Sequence, residues 1–263
     1  MTTETNKTTS DAPLAGRVAL VTGAGTGIGR AAALRFAQRG AAVVLAGRRE
    51  AELRTVANEI EMAGGRARAI PTDVSDERAI QRLVEETLVH FGRLDAAFNN
   101  AGISGTMAPI AQLSAADFDA VMGVNLRGVW LLVKAEIAAM QRLGHGGAIV
   151  NTSSFLGRAA TVGTSIYSAS KAALDAMILA IALEVGPDNI RINNVAPGAI
   201  QTPMMQGTPP AVQDALAARA ALKRMGTPED VGDVATWLCT EEARFITGQS
   251  ILVDGGFTIS GPR

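Results

Sequence analysis

Tyr167, the only tyrosine in the chain, stands four residues before Lys171 in the run Tyr167-Ser168-Ala169-Ser170-Lys171. On a helix that spacing puts both side chains on one face, at neighbouring turns. A phenol with a pKa near ~10 is a poor base at neutral pH, but an adjacent ammonium favours the phenolate and lowers that value. Such a pair is a proton donor and acceptor suited to interconverting a carbonyl and an alcohol. Ser154 lies thirteen positions upstream of Tyr167, just past an expected strand end, where its hydroxyl can hold the substrate oxygen. Ser153 competes with it for that role.

A second constellation is Thr22-Gly23-Ala24-Gly25-Thr26-Gly27-Ile28-Gly29, which follows an aliphatic run and leads straight into a helical stretch. A helix N-terminus presents unpaired N–H donors and the positive end of the peptide dipoles, and a pyrophosphate fits there if no Cβ intervenes. Gly23, Gly27 and Gly29, with Thr26 and Ile28 between them, are therefore candidates to cradle a dinucleotide, in a strand–turn–helix context that supports the reading. Roughly 20 residues further on, an NAD site would offer a carboxylate to the ribose hydroxyls. The sequence there reads Ala46-Gly47-Arg48-Arg49-Glu50. Two guanidinium groups suit a 2′-phosphate, which Arg grips bidentately. NADP(H) is the expected cofactor, with NAD(H) the alternative should Arg48 and Arg49 be merely solvated first-turn residues.

Composition removes other chemistries. A zinc site needs three or four protein ligands, and the available set is only His90, His145 and Cys239, far apart in the chain. No metal is expected. Cys239, in the apolar stretch VATWLC, reads as a small buried hydrophobe, and a lone cysteine fits a reducing, cytoplasmic compartment. A net charge of −1, with 20 Arg and 4 Lys spread along the chain, offers no basic stripe for nucleic acid. Apolar runs such as AALRFA and GVWLLV are broken by charge short of a membrane span. The Thr-rich segment 1–12 lacks the apolar core of a signal peptide and is expected to be a flexible tail.

The elements that must position these residues follow from alternating periodicities. Short aliphatic runs predict strands at Val18–Thr22, Ala42–Ala46, Ala67–Pro71, Leu94–Phe98, Ala148–Thr152, Arg191–Val195 and Ser250–Val253. Amphipathic stretches between them predict helices at Gly29–Arg39, Glu50–Met62, Asp76–His90, Ala115–Leu143, Ile166–Val185 and Glu229–Thr240. Ser75, Ser114 and Pro228 mark helix starts. The pattern is that of βαβ units around a parallel sheet, in one domain over 13–263. Only 201–225, with three Pro, breaks the rhythm, and it is expected to be a surface flap over the substrate.

Together, Thr22-Gly-x-x-x-Gly-x-Gly29, Asn99-Asn100-Ala101-Gly102, Asn125, Ser154, Tyr167-x-x-x-Lys171 and Asn194-Val-Ala-Pro197-Gly198 resemble the short-chain dehydrogenase/reductase superfamily, in its compact oxidoreductase branch, over about residues 14–258. The resemblance implies a single doubly wound Rossmann-type α/β domain, a seven-stranded parallel sheet with helices on both faces. It implies that Tyr167 is the general acid/base, that Ser154 holds the reacting oxygen, and that Lys171 lowers the Tyr167 pKa while binding the nicotinamide ribose. Asn125 would anchor a water in the proton relay, against a plain helix-kink role. Asp73 and Val74 would line the adenine, Asn100, Ala101 and Gly102 would close that side of the cofactor, and Pro197, Gly198, Ile200 and Thr202 would stand at the nicotinamide. A homotetramer is implied.

The leading reading is thus an NADP(H)-dependent oxidoreductase for a small ketone or secondary alcohol. A dinucleotide-sensing module without catalysis and an isomerase or dehydratase with the same site are the other classes. Candidate pocket segments are Ser104–Met107, Phe155–Ile166 and Pro203–Met225, and Phe155, Leu156, Met204 and Met205 favour an apolar ketone, cyclic or steroid-like. The rival reading is that the methionines only pack the flap onto the body.

Overall fold

The computed structural model describes residues 12–259. Seven strands, β1 Val18–Thr22, β2 Ala42–Gly47, β3 Ala67–Pro71, β4 Ala96–Asn99, β5 Gly147–Thr152, β6 Ile190–Pro197 and β7 Ser250–Val253, form one sheet in the order β3-β2-β1-β4-β5-β6-β7. Every pairing is parallel. Parallel neighbours need crossover connections, and the helices supply them: α1 Gly27–Gln38, α2 Glu50–Met62, α3 Glu77–Phe91, α4 Ala115–Met122, α5 Val129–Leu143, α6 Ser165–Val185, α7 Pro210–Arg219 and α8 Pro228–Leu238.

The period-two alternation of side chains divides the core. Val21, Val43, Leu45 and Val150 pack with Phe36 of α1, Leu53 and Ile60 of α2 and Leu238 of α8. Their neighbours Leu20, Val44, Ile149 and Ile192 pack on the opposite face with Leu83 of α3, Leu132 and Met140 of α5 and Leu174 of α6. Strands covered on both faces explain the nearly continuous apolar runs in the sequence. β4 crosses to the far side of β1 from β2, so the strand order reverses between β1 and β4. In open α/β sheets the crevice at the carboxyl ends of the strands beside such a reversal is where ligands bind.

Three local expectations change. α3 is capped by Asp76, whose side chain accepts from Arg78 N, while Ser75 instead donates to Asp73. The expected helix 115–143 contains a π-helical turn at Gly123–Gly128, which holds Asn125. Ser165–Asp188 is long and apolar enough to cross a membrane by length and composition (mean hydropathy 1.5), although no run of that length was expected. In the fold this helix packs against β6 and carries the buried Lys171. The expected tail, apart from Ala12, lies outside the described residues.

Candidate active site

The turn after β1 is built around missing side chains. Gly23 has φ +64° and a Cβ there would stand 2.9 Å from Asn100 Nδ2, so the turn can nest against the segment after β4 only as glycine. Thr22 joins the same two segments, its buried hydroxyl accepting the backbone N–H groups of Asn100 (3.0 Å) and Ala101 (3.1 Å). Sequence reasoning assigned Thr22 no such role.

Gly27, also at positive φ (+54°), opens α1 and faces Thr202 and Pro203, with 3.4 Å the nearest approach of a Cβ built there. The N-terminus of α1 has no side-chain cap and no acidic residue in its first turn. In contrast, α3, α4 and α8 are capped by Asp76, Ser114 and Thr227 and carry acids there. An uncapped positive helix end at the sheet's switch point fits the phosphates of a dinucleotide. Thr26 and Ile28 flank that end.

Beyond β2, Arg49 donates to Thr26 Oγ1 (3.1 Å) and pairs with Glu52 (3.2 Å). Arg48 is exposed and has no hydrogen bond or ion pair among the described residues. It faces Asp73, whose carboxyl is held below the usual carboxylate range chiefly by the Ser75 backbone N–H and hydroxyl, with Arg48 adding a smaller pull. Val74 is buried beside it.

On the other side of the switch point, the end of β5 meets the start of α6. The Ser154 hydroxyl faces the Tyr167 hydroxyl, whose pKa it pulls down, and accepts from Leu156 N at 3.2 Å. Ser153 donates instead to the backbone carbonyl of Lys171 at 3.2 Å, so of the two serines only Ser154 addresses the tyrosine. Lys171 is buried, its ammonium 5.7 Å from the centre of the Tyr167 ring and donating to Thr152 O at 2.6 Å.

Burial pushes the Lys171 pKa down to about 8. Burial also raises the Tyr167 hydroxyl above its ordinary value, with the Ser154 hydrogen bond pulling the other way. The expected lowering by Lys171 is therefore not seen in the protein alone, because desolvation of the phenolate outweighs the hydrogen bond that favours it.

Asn125 is fully buried, accepting from Ile103 N (2.9 Å) and donating to Ile103 O (2.8 Å) and Ser170 Oγ (3.3 Å). Its amide fixes the loop that follows Gly102. A Cβ on Gly102 would come 3.2 Å from Asn125 Oδ1 and 3.7 Å from the Lys171 ammonium. Pro197 ends β6, Gly198 packs on Asp254, and Ile200 bridges to Gly226, which brings Thr202 over Gly27. Phe155 meets Phe257 edge to face, with ring centres 5.0 Å apart, and Met204 is exposed. Cys239 is buried and its thiol is pushed up to about 12 by burial.

A polar row unforeseen from the sequence runs through the sheet, in which Asn99, Asn151, Asn194 and Ser250 are successive register partners on β4 to β7. Glu136 of α5 stands at one end and Asp175 of α6 at the other. Asn99 and Asn194 sit inside motifs read only for their neighbours, and Asn151 and Ser250 inside runs read only as strands.

Residues 23–258 match a family described as enoyl-(acyl carrier protein) reductase. The A-factor type gamma-butyrolactone 1′-reductase (1S-forming) of Streptomyces virginiae is 40% identical over 94% of this chain and 97% of its own. The cis-4-hydroxycyclohexanecarboxylate dehydrogenase of Sinomonas cyclohexanicum is 40% identical over 92% of this chain and 96% of its own. A crystal structure of a short-chain type dehydrogenase/reductase from Mycobacterium marinum superposes with a TM-score of 0.89 at 36% identity, covering 94% of this chain and 97% of that one. With the glycine turn and the Ser154–Tyr167–Lys171 cluster on the two sides of the switch point, these likenesses make the chain a member of the short-chain dehydrogenase/reductase superfamily, an oxidoreductase of CH–OH and C=O groups.

Proposed function

We propose that the protein is an NADP(H)-dependent oxidoreductase that interconverts a ketone and a secondary alcohol, with Tyr167 as general acid/base. The observation that carries the reading is the meeting of Ser154, Tyr167 and Lys171 on one side of the segment 100–102, whose other side packs on the glycine turn that leads into the uncapped α1. The nicotinamide supplies the hydride donor or acceptor when bound.

This chain's residues do the rest. Gly23, Thr26, Gly27, Ile28 and Gly29 hold the pyrophosphate, and Arg48, which makes no hydrogen bond or ion pair among the described residues, takes the 2′-phosphate. Arg49, tied to Thr26 and Glu52, shapes the turn. Asp73 and Val74 line the adenine, and Asn100, Ala101 and Gly102 close that wall. Pro197, Gly198, Ile200 and Thr202 orient the nicotinamide end, and Lys171 holds its ribose.

In the reducing direction Ser154 donates a hydrogen bond to the substrate oxygen, and the Tyr167 hydroxyl gives that oxygen its proton as the alcohol forms. The Lys171 ammonium stabilises the phenolate left behind. The gap that Gly102 leaves between Asn125 and Lys171 suits a water that returns the proton from solvent. Phe155, Leu156 and Met204, on segments flanking Ser154 and Thr202, favour an apolar ketone. The names of the two curated relatives, which carry a butyrolactone and a cyclohexane ring, support a cyclic one. The segment 201–225 acts as the flap over that substrate.

The test is turnover of nicotinamide absorbance against a panel of cyclic and open ketones, with Tyr167→Phe beside the wild type. The variant is expected to keep NADPH binding and lose activity by about 100-fold or more. Near-wild-type activity in it sinks the acid/base assignment. Binding without turnover across the panel favours a sensor, and product formation without net cofactor change favours an isomerase.

A further inference from the structure

The polar row through the sheet has a direction. Asn99 Nδ2 donates to Asn151 Oδ1 (3.1 Å), Asn151 Nδ2 to Asn194 Oδ1 (3.0 Å), and Asn194 Nδ2 to Asp175 Oδ1 (3.0 Å). Ser250 donates to the same Asp175 oxygen (2.5 Å). Along the row each amide donates in the direction of the Asp175 carboxylate, an alignment in which each bond polarises the next, while Asn99 Nδ2 also donates to Glu136 Oε2 (3.0 Å) and Asn194 Nδ2 to Ser250 Oγ (3.0 Å). The other carboxylate oxygen faces Arg158 Nε at 3.5 Å, and Arg158 also holds Ser250 O at 3.1 Å. Arg158 lies on the segment that begins at Ser154.

Tyr167, Lys171 and Asp175 are spaced i, i+4, i+8 on α6, so the carboxylate stands one turn beyond the ammonium on the same face. Lys171 makes no ion pair among the described residues, its one strong bond being to Thr152 O. Charged groups on the elements packed against α6 are engaged elsewhere. Arg191 of β6 binds Ile246 O and Thr240 O, Arg127 of the π-helical turn binds Ser75 O and Glu77, and Asp117 of α4 binds Thr106 and Ser114. Asp188 beyond α6 binds Gln141, and Asp119 of α4 is exposed. Arg158 and Tyr167 are the remaining titratable neighbours.

We propose that Asp175 is a positioning residue for the Tyr167–Lys171 pair: it supplies the counter-charge that faces the buried Lys171 ammonium, and the amide row fixes where that charge sits. The electrostatics agree, since burial pulls the Lys171 pKa down and Asp175 is the one group that opposes it. Without Asp175 the lysine would lose its proton at a lower pH and cease to stabilise the phenolate. The inference rests on the catalytic reading of Tyr167 and Lys171, and its test separates the two.

The chain has four lysines, Lys7, Lys134, Lys171 and Lys223, so 13C labelling of the lysine ε-carbon gives a spectrum in which Lys171 is assigned by its loss in Lys171→Met. In Asp175→Asn the Lys171 midpoint is expected to fall by about one pH unit. The pH limb of kcat should move the same way while KM changes little, and Asp175→Glu should restore both. An unmoved Lys171 midpoint in folded Asp175→Asn overturns the proposal. If Asp175→Asn does not fold, Asp175→Ser, which keeps a hydrogen-bonding group and loses the charge, takes its place: the Lys171 midpoint should fall by about as much, and an unmoved midpoint there overturns the proposal equally. If Tyr167→Phe stays active while the Lys171 midpoint shifts, the catalytic reading fails and the electrostatic coupling stands.

Discussion

Arg48 and Arg49 adjoin in the chain but differ in the fold. Arg49 is bound to Thr26 and Glu52, whereas Arg48, just past the end of β2, makes no hydrogen bond or ion pair among the described residues and exerts only a weak pull on Asp73. Charge-assisted hydrogen bonds to a phosphate contribute about 1.5–3 kcal/mol. Arg48→Ala should therefore weaken NADPH binding roughly 10- to 100-fold while NADH binding hardly changes, as read by fluorescence titration. Equal losses for both nucleotides would transfer the assignment to NAD(H). The same scale shows what sequence leaves open. Ser153 and Ser154 are equivalent in a list of residues, and only the path of the chain past β5 turns one hydroxyl to the Lys171 carbonyl and the other to Tyr167. The spacing of Tyr167 and Lys171 was legible because a helix fixes it. The Tyr167 pKa was not, because desolvation depends on everything packed around the ring.

Among the elements, α5 carries the least legible group. Glu136 reads as one more polar residue of an amphipathic helix, yet it is fully buried, bonded to Asn99 Nδ2 at 3.0 Å, and its carboxyl is pushed up to about 7 by burial. A carboxyl raised in the native state keeps its proton there after the unfolded chain has lost it. Its contribution to stability is fully present below the ordinary value near 4.5 and is lost as pH rises to about 7. Glu136→Gln removes that titration. Relative to wild type the variant should gain about 3 kcal/mol between pH 4.5 and pH 7, read by urea unfolding at a series of pH values. Parallel curves would show that Glu136 is ionised in the fold. Asp230, held down to about 2 by Arg224, acts in the opposite sense at acid pH in both proteins and cancels from the difference. The π-helical turn ahead of α5 was equally hidden, since one extra residue per turn leaves the hydrophobic periodicity of the flanking stretches intact.

For the whole molecule, Phe118 of α4, Trp130 of α5, and Leu179 and Leu183 of α6 are exposed, Leu183 at 83%. We propose that they are covered in a homotetramer. Light scattering should give about four times the chain mass, and Trp130→Glu should lower it; a monomeric wild type would refute the assembly. The order of strands and helices, the glycine turn and the Tyr–Lys pair were determined by the sequence alone, because each depends on periodicity or spacing within one stretch of chain. The tertiary structure decided what depends on register between distant stretches. It set Asn99 beside Asn151 and Asn194, aimed that row at Asp175, engaged Arg49 with Thr26 and Glu52, and gave Tyr167, Lys171 and Glu136 their shifted proton affinities. These are properties of the space between elements, and local propensity carries no information about that space until the sheet has closed it.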